Sequence, residues 1–142
     1  MVNSCVESID VSGCKPLRLA YIGDAVYEVY IREMLLRRKN VSVHKLHVES
    51  IQYVKAAAQS YILHEIMDKL TDEELDIVRR GRNAKSATVP QNAKVSDYRY
   101  ATAFETLVGY LYLGNNKSRL NEIIDMAVNV IDKKMSKDVE KS

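Results

Sequence analysis

The sequence predicts an all-α domain of about six helices, and three observations carry that reading. Apolar residues recur at three- and four-residue spacing through most of the chain, no segment shows sustained two-residue alternation, and helix start and stop signals separate the periodic stretches. At 142 residues, 46% hydrophobic and 28% charged, the chain has room for one buried core rather than two. We read residues 1–16 as an N-terminal extension, 17–135 as the folded domain and 136–142 as a charged, frayed tail.

The first helix is expected from Leu17 to about Arg37. Leu17, Leu19, Ala20, Ile22, Ala25, Val26, Val29, Tyr30, Met34 and Leu35 give it a broad, well-buried apolar surface. Gly23 in its middle costs about 1 kcal/mol against alanine, so another helix or a ligand should approach closely there. A second helical region runs from Val43 to about Leu70 behind Ser42 as N-cap, with Ala56 to Ser60 either continuous helix or a bend; its apolar positions suit packing rather than chemistry. Thr71 and Glu74 form a capping-box pattern, which starts a helix at Asp72 that ends near Asn83. Ala84 to Val95 lacks periodicity and reads as an exposed loop. Ser96 caps a helix from Asp97 to Leu113, Gly114-Asn115-Asn116 ends it, and Ser118 opens a last amphipathic helix through Ile131.

Composition excludes several functions. No apolar run approaches the roughly 18 residues of a membrane span, and MVNSCVESID lacks the basic start and apolar stretch of a signal peptide, so no membrane partner and a cytoplasmic location are expected. Cys5 and Cys14 would close only a short loop and read as free thiols. His44 and His47 share a helix face but lack a third ligand, the pattern of a polar helix edge. The net charge of +2 conceals a concentration: Arg79, Arg80, Arg82, Lys85, Lys94 and Arg99 face only Asp97 between positions 79 and 99, a local +5 that suits a polyanion or a solvated loop.

Two acids stand in apolar surroundings. Asp24 lies among Ile22, Ala25 and Val26, and Glu105 holds the matching place in the helix after the basic loop. A buried carboxylate needs an ion-pair partner, hydrogen bonds or a metal. Two oxygen donors on two packed helices would suit a hard cation such as Mg²⁺, with water and phosphate completing its coordination; an arginine or lysine partner is the structural alternative. Glu28, one turn after Asp24, is either an outer ligand or a surface glutamate. Seven of the nine tyrosines flank these two segments, a distribution that fits core or interface packing better than base stacking.

The run LAYIGDAVYEVYIR (Leu19 to Arg32) resembles the signature helix of the ribonuclease III family, and YRYATAFETLVGYLYL (Tyr98 to Leu113) resembles its second acidic motif. With RRGRNAKS (Arg79 to Ser86), the pattern is similar to the compact Mini-ribonuclease III subfamily, across nearly all of Leu17 to Leu113. The resemblance implies a ribonuclease III catalytic domain that acts as a homodimeric endoribonuclease. Each subunit would hold one site, and the two would cut opposite strands of double-stranded RNA with Mg²⁺, or Mn²⁺ as a substitute. It implies that Asp24 and Glu105 are catalytic and bind the metal, and that the substrate is the large-subunit (23S) ribosomal RNA precursor, with a ribosomal protein on that substrate as a further partner. Ala20 and Thr102 depart from the family, standing where full-length ribonuclease III has further acids, which leaves fewer carboxylates per site. That departure sustains the alternative of a non-catalytic duplex-binding or ribosome-associated protein.

A-form RNA is recognised through phosphates, 2′-hydroxyls and shape, which suits a basic loop; Arg79, Arg80, Arg82, Lys85 and Arg99 are the expected contacts, although Arg99 could instead balance a buried acid. The sequence ends soon after its last helix, so binding is expected to rely on the catalytic dimer, without an attached double-stranded-RNA-binding domain, and to weaken steeply with salt.

Overall fold

The structure, a computed structural model, describes residues 9–85 and 94–141. Six α-helices follow one another: α1 (Pro16–Arg38), α2 (Val43–Val54), α3 (Ala56–Ile66), α4 (Asp72–Asn83), α5 (Val95–Leu113) and α6 (Lys117–Lys141), with short 3₁₀ turns at Val11–Gly13 and Met67–Lys69. There is no strand among the described residues, as the missing two-residue alternation predicts. No described helix is long and apolar enough to cross a membrane.

α5 is the central element, packed against α1, α3, α4 and α6. Its Ala103, Phe104, Leu107, Val108 and Leu111 are buried, and Phe104 meets Tyr27 of α1 edge to face at 5.1 Å between ring centroids. The Tyr27 hydroxyl donates to the Tyr53 carbonyl (3.0 Å), and the Tyr53 hydroxyl donates to the Asp132 carboxylate (2.7 Å), which also accepts both arms of the Arg38 guanidinium. These polar groups tie α1, α2 and α6 at the end of the molecule where a purely apolar core would leave hydroxyls without partners.

Most helix limits follow from local chemistry. Ser42 caps α2, its hydroxyl accepting from the Lys45 amide, and Thr71 and Glu74 complete the expected capping box. The long second region is two helices: Lys55 adopts an extended backbone (φ −62°, ψ 153°) and breaks it just before Ala56. Three expectations are corrected. Ser96 is not a cap, because α5 begins at Val95 behind Lys94 and places Ser96 within its first turn. Ser118 does not open α6, because Asn116 accepts from the Arg119 amide through its side chain (3.3 Å). The segment 136–141 is not frayed but continues α6, supported by the i,i+4 pair of Lys134 and Asp138 (3.5 Å).

The α5–α6 corner shows why Ser118 lost the role. Asn115 takes the left-handed backbone (φ 59°), the Asn116 amide donates to the Leu111 carbonyl and the Asn115 amide to that of Tyr112. This is a Schellman closure that leaves no free linker before α6. Cys14 is a free thiol, as expected; Cys5 and loop residues 86–93 lie outside the described residues.

Candidate functional site

The site is built by two glycines. A Cβ on Gly23 would fall 1.8 Å from the Glu105 carbonyl oxygen, and a Cβ on Gly109 would fall 1.9 Å from the Leu19 carbonyl oxygen. Only residues without side chains let α1 and α5 cross this closely. Because Gly23 lies on the backbone of residue 105, its neighbour Asp24 reaches the Glu105 side chain, and the two carboxyl groups are in hydrogen-bonding contact. The close approach expected at Gly23 is therefore that of the helix bearing the second acid.

The two acids differ in setting. Asp24 is exposed, which corrects the expectation that it is buried; Glu105 is largely buried behind it. The correction extends along α1 to Leu17, Ala25 and Val29, which face outward together with Tyr21, 84% exposed, and Leu36, 65% exposed. The apolar surface of α1 is wider than the single-chain core can cover.

Burial, then the negative charge of Asp24 and the hydrogen bond to it, push the Glu105 carboxyl up to about 8, while a hydrogen bond from Gln59 pulls it the other way. Neither acid has an arginine or lysine ion pair among the described residues. Two carboxyl groups in contact require either a retained proton or a cation between them, and their oxygens are the donors a hard divalent ion prefers. No cluster of three or more acidic, histidine or cysteine ligands occurs among the described residues. At the positions where further acids were expected to be missing, Ala20 is buried, and so is Thr102, whose hydroxyl donates to the Tyr98 carbonyl (3.0 Å). The pair fits a cation completed mainly by water and phosphate.

Arg79, Arg80 and Arg82 lie on the neighbouring helix α4, Lys85 just beyond its end and Arg99 on α5. α4 seats on α5 through Gly81, whose added Cβ would meet the Thr106 hydroxyl at 2.6 Å and the Ala103 Cα at 2.9 Å, to either side of Glu105 in sequence. Arg80 and Arg82 flank that contact and are half-buried; the Arg82 Nε donates to the Asn83 side chain (3.2 Å). Arg79 is exposed and paired with Asp76, and Lys85 and Arg99 are exposed. The alternative role for Arg99 as a counter-charge to the buried acid is not what its exposure indicates. Glu28 pairs with Arg32 on the helix surface (3.2 Å), the surface-glutamate reading.

Gln59 is the residue that sequence reasoning missed. It sits in α3 with 3% of its surface exposed, in a stretch assigned only to packing. The usable signal was a long polar side chain among Ala56, Ala57, Ala58, Ile62 and Leu63, where a purely apolar residue would serve a core equally well.

The chain is similar to known proteins over most of its length. The Ribonuclease III domain family model matches residues 17–116. The chain is 50% identical to a Mini-ribonuclease 3 of Clostridium tetani over 87% of its own length and 82% of that protein's, and 52% identical to a Mini-ribonuclease 3 of Thermoanaerobacter over 86% of each. A crystal structure of a Fusobacterium nucleatum protein superposes with a TM-score of 0.77 at 31% identity, covering 86% of this chain and 98% of that one. With the matching domain, the long collinear similarity and the shared fold, the chain belongs to the ribonuclease III family of endoribonucleases, in its Mini-ribonuclease 3 branch.

Proposed function

We propose that the protein is an endoribonuclease that cuts double-stranded RNA with Mg²⁺, or Mn²⁺ in its place, at a site held by Asp24 and Glu105. The observation that carries this reading is the contact of the two carboxyl groups across the glycine-tight crossing of α1 and α5. A divalent cation there would offset charge developing on the phosphodiester and acidify the attacking water. Asp24 lies at the surface, where a duplex backbone would reach it, and Glu105 lies largely buried behind it. Arg79, Arg80, Arg82, Lys85 and Arg99 would bind phosphates, fixing the register of the duplex without reading its bases.

The outward apolar side of α1 supports the reading of a homodimer. Leu17, Tyr21, Ala25 and Val29 recur every fourth residue and continue to Leu36, with Ile9 exposed at one end. An apolar helical stripe of this length is suited to pack against its own copy. It runs beside Asp24, so pairing would set two sites on one duplex. The large-subunit ribosomal RNA precursor, with a ribosomal protein bound to it, is the substrate that kinship with Mini-ribonuclease 3 proteins suggests.

The test is cleavage of a structured double-stranded RNA by the purified protein, with and without Mg²⁺, beside Asp24→Asn. Metal-dependent cutting that the variant loses is the expected result. Cutting by Asp24→Asn at the normal rate would sink the assignment, and duplex binding without cutting in any divalent metal would favour the non-catalytic reading that Ala20 and Thr102 sustain.

A further inference from the structure

We propose that Gln59 is a positioning residue of the acid site: its amide nitrogen holds Glu105 in place against Asp24, and its Oε1 accepts a hydrogen bond from a water seated between Gln59 and the acids. This rests on the reading of Asp24 and Glu105 given above.

The amide of Gln59 is almost wholly buried, so each of its polar atoms needs a partner. Nε2 carries two hydrogens. One goes to the Val54 carbonyl at 2.8 Å, closing the break between α2 and α3; the side chain also lies against the Glu105 carboxyl, where its amide favours the ionised form. Oε1, by contrast, is buried with no hydrogen-bond partner, and it is the one such side-chain atom among the described residues. Turning the amide over would not help, because it would set Oε1 against the Val54 carbonyl and place two acceptors in contact.

What Oε1 lacks is a donor, and both groups that hold Gln59 are acceptors. A water supplies the missing hydrogen and can give its other one to a carboxylate oxygen. On this proposal that water bridges Gln59 to the acid pair. Gln59 thus links the α2–α3 break to the acid on α5, and a side chain that fixes a ligand in this way typically changes metal affinity or activity by about 10–100-fold when replaced.

The experiment uses the full chain, with Mn²⁺ as the probe. Mn²⁺ binding to the RNA-free protein is followed by electron paramagnetic resonance, and cleavage of a double-stranded RNA by single-turnover rate and by duplex affinity. Gln59→Met, which keeps length but neither donates nor accepts strongly, should weaken Mn²⁺ binding and slow cleavage at saturating RNA by about tenfold or more, with duplex affinity unchanged. Gln59→Glu, whose protonated carboxyl can donate to the Val54 carbonyl and still present an oxygen to the water, should restore Mn²⁺ binding toward the wild-type value relative to Gln59→Met, a rescue that a residue serving the core alone would not show.

Wild-type Mn²⁺ binding and cleavage rate in Gln59→Met would overturn the proposal. So would Mn²⁺ binding in a folded Gln59→Glu no tighter than in Gln59→Met, or failure of both variants to fold even with Mn²⁺ present. Asp24→Asn is run beside them. If the wild type itself neither binds Mn²⁺ nor cuts, the two-acid reading has failed; if it does both and the Gln59 variants match it, only the role of Gln59 has.

Discussion

Glu74 and Glu105 are both glutamates taken largely out of water, and their surroundings treat them in opposite ways. Glu74, 4% exposed, accepts from the Thr71 amide and from two nitrogens of Arg119 at 2.8 Å each, and Arg119 also donates to the Lys69 carbonyl and pairs with Glu122. The Arg119 guanidinium holds its carboxyl below the usual range. Glu105 has a second acid where Glu74 has a guanidinium, and it is pushed up to about 8. A fully bonded buried acid closes a structure, joining α4 to α6. A buried acid left against another acid stores unfavourable electrostatics that a bound cation would relieve.

Removing an acid from each site should therefore break different properties. The largest effect is expected at the acid pair: Asp24→Asn or Glu105→Gln should lower single-turnover cleavage of double-stranded RNA by about 10²-fold or more, the loss of several kcal/mol of charge stabilisation, with the circular dichroism spectrum unchanged. At the other site, Glu74→Gln or Arg119→Met should destabilise the fold by about 3 kcal/mol, because the surviving partner stays buried without its counter-charge. Cleavage well below the lowered melting temperature should remain near wild type. Urea denaturation and cleavage measured on the same four variants check both expectations, and a Glu74 variant that folds normally but does not cut would erase the contrast.

The fold was legible because its signals are local: apolar spacing, the Thr71–Glu74 box and Gly114-Asn115-Asn116 each act within one or two turns. The failures are equally physical. Ser96 and Ser118 are good caps by type, but Lys94 and Asn116 already stood at the helix starts. The exposure of Asp24 was hidden because α1 carries apolar residues on both its inner and its outer face, and periodicity cannot tell a face that meets the core from one that is turned outward. Gly23 could be read as a point of close approach, yet the identity of what approaches it, the Glu105 backbone, is a tertiary fact. Gln59 went unread for the same reason, since its partners lie at Val54 and on α5.

Acidity offers a finer test, because the two glutamates move stability in opposite directions with pH. The favourable contribution of Glu74 is complete above the ordinary value of 4.5 and is lost as pH falls through its lowered one. Between about 4.5 and about 8 the metal-free folded protein retains a proton on Glu105 that the unfolded chain has released, so stability should decline as pH rises across that window. Urea midpoints in EDTA at pH 5 and pH 8 should show Glu105→Gln declining less than wild type, by on the order of 1 kcal/mol or more. Saturating Mn²⁺ should remove most of the difference between the two pH values in the wild type. Equal pH dependence in variant and wild type would mean that Glu105 is ionised at little cost, and the contrast with Glu74 would be lost.

The smallest expected effect lies outside both acid sites, at the basic end of α4. Arg80→Ala and Arg82→Ala should each weaken duplex binding, and each should reduce the slope of log affinity against log salt by about 0.7–1, the signature of one lost phosphate contact. The cleavage rate at saturating RNA should not change, because neither side chain belongs to the acid pair. Arg79→Ala should matter less, since its guanidinium is already paired with Asp76 and gives up that partner to bind phosphate. The salt slope separates charge from shape. If Arg82→Ala lost affinity at an unchanged slope, the side chain would act through its bond to Asn83, by holding the end of α4 in position, and its charge would not be what the RNA reads.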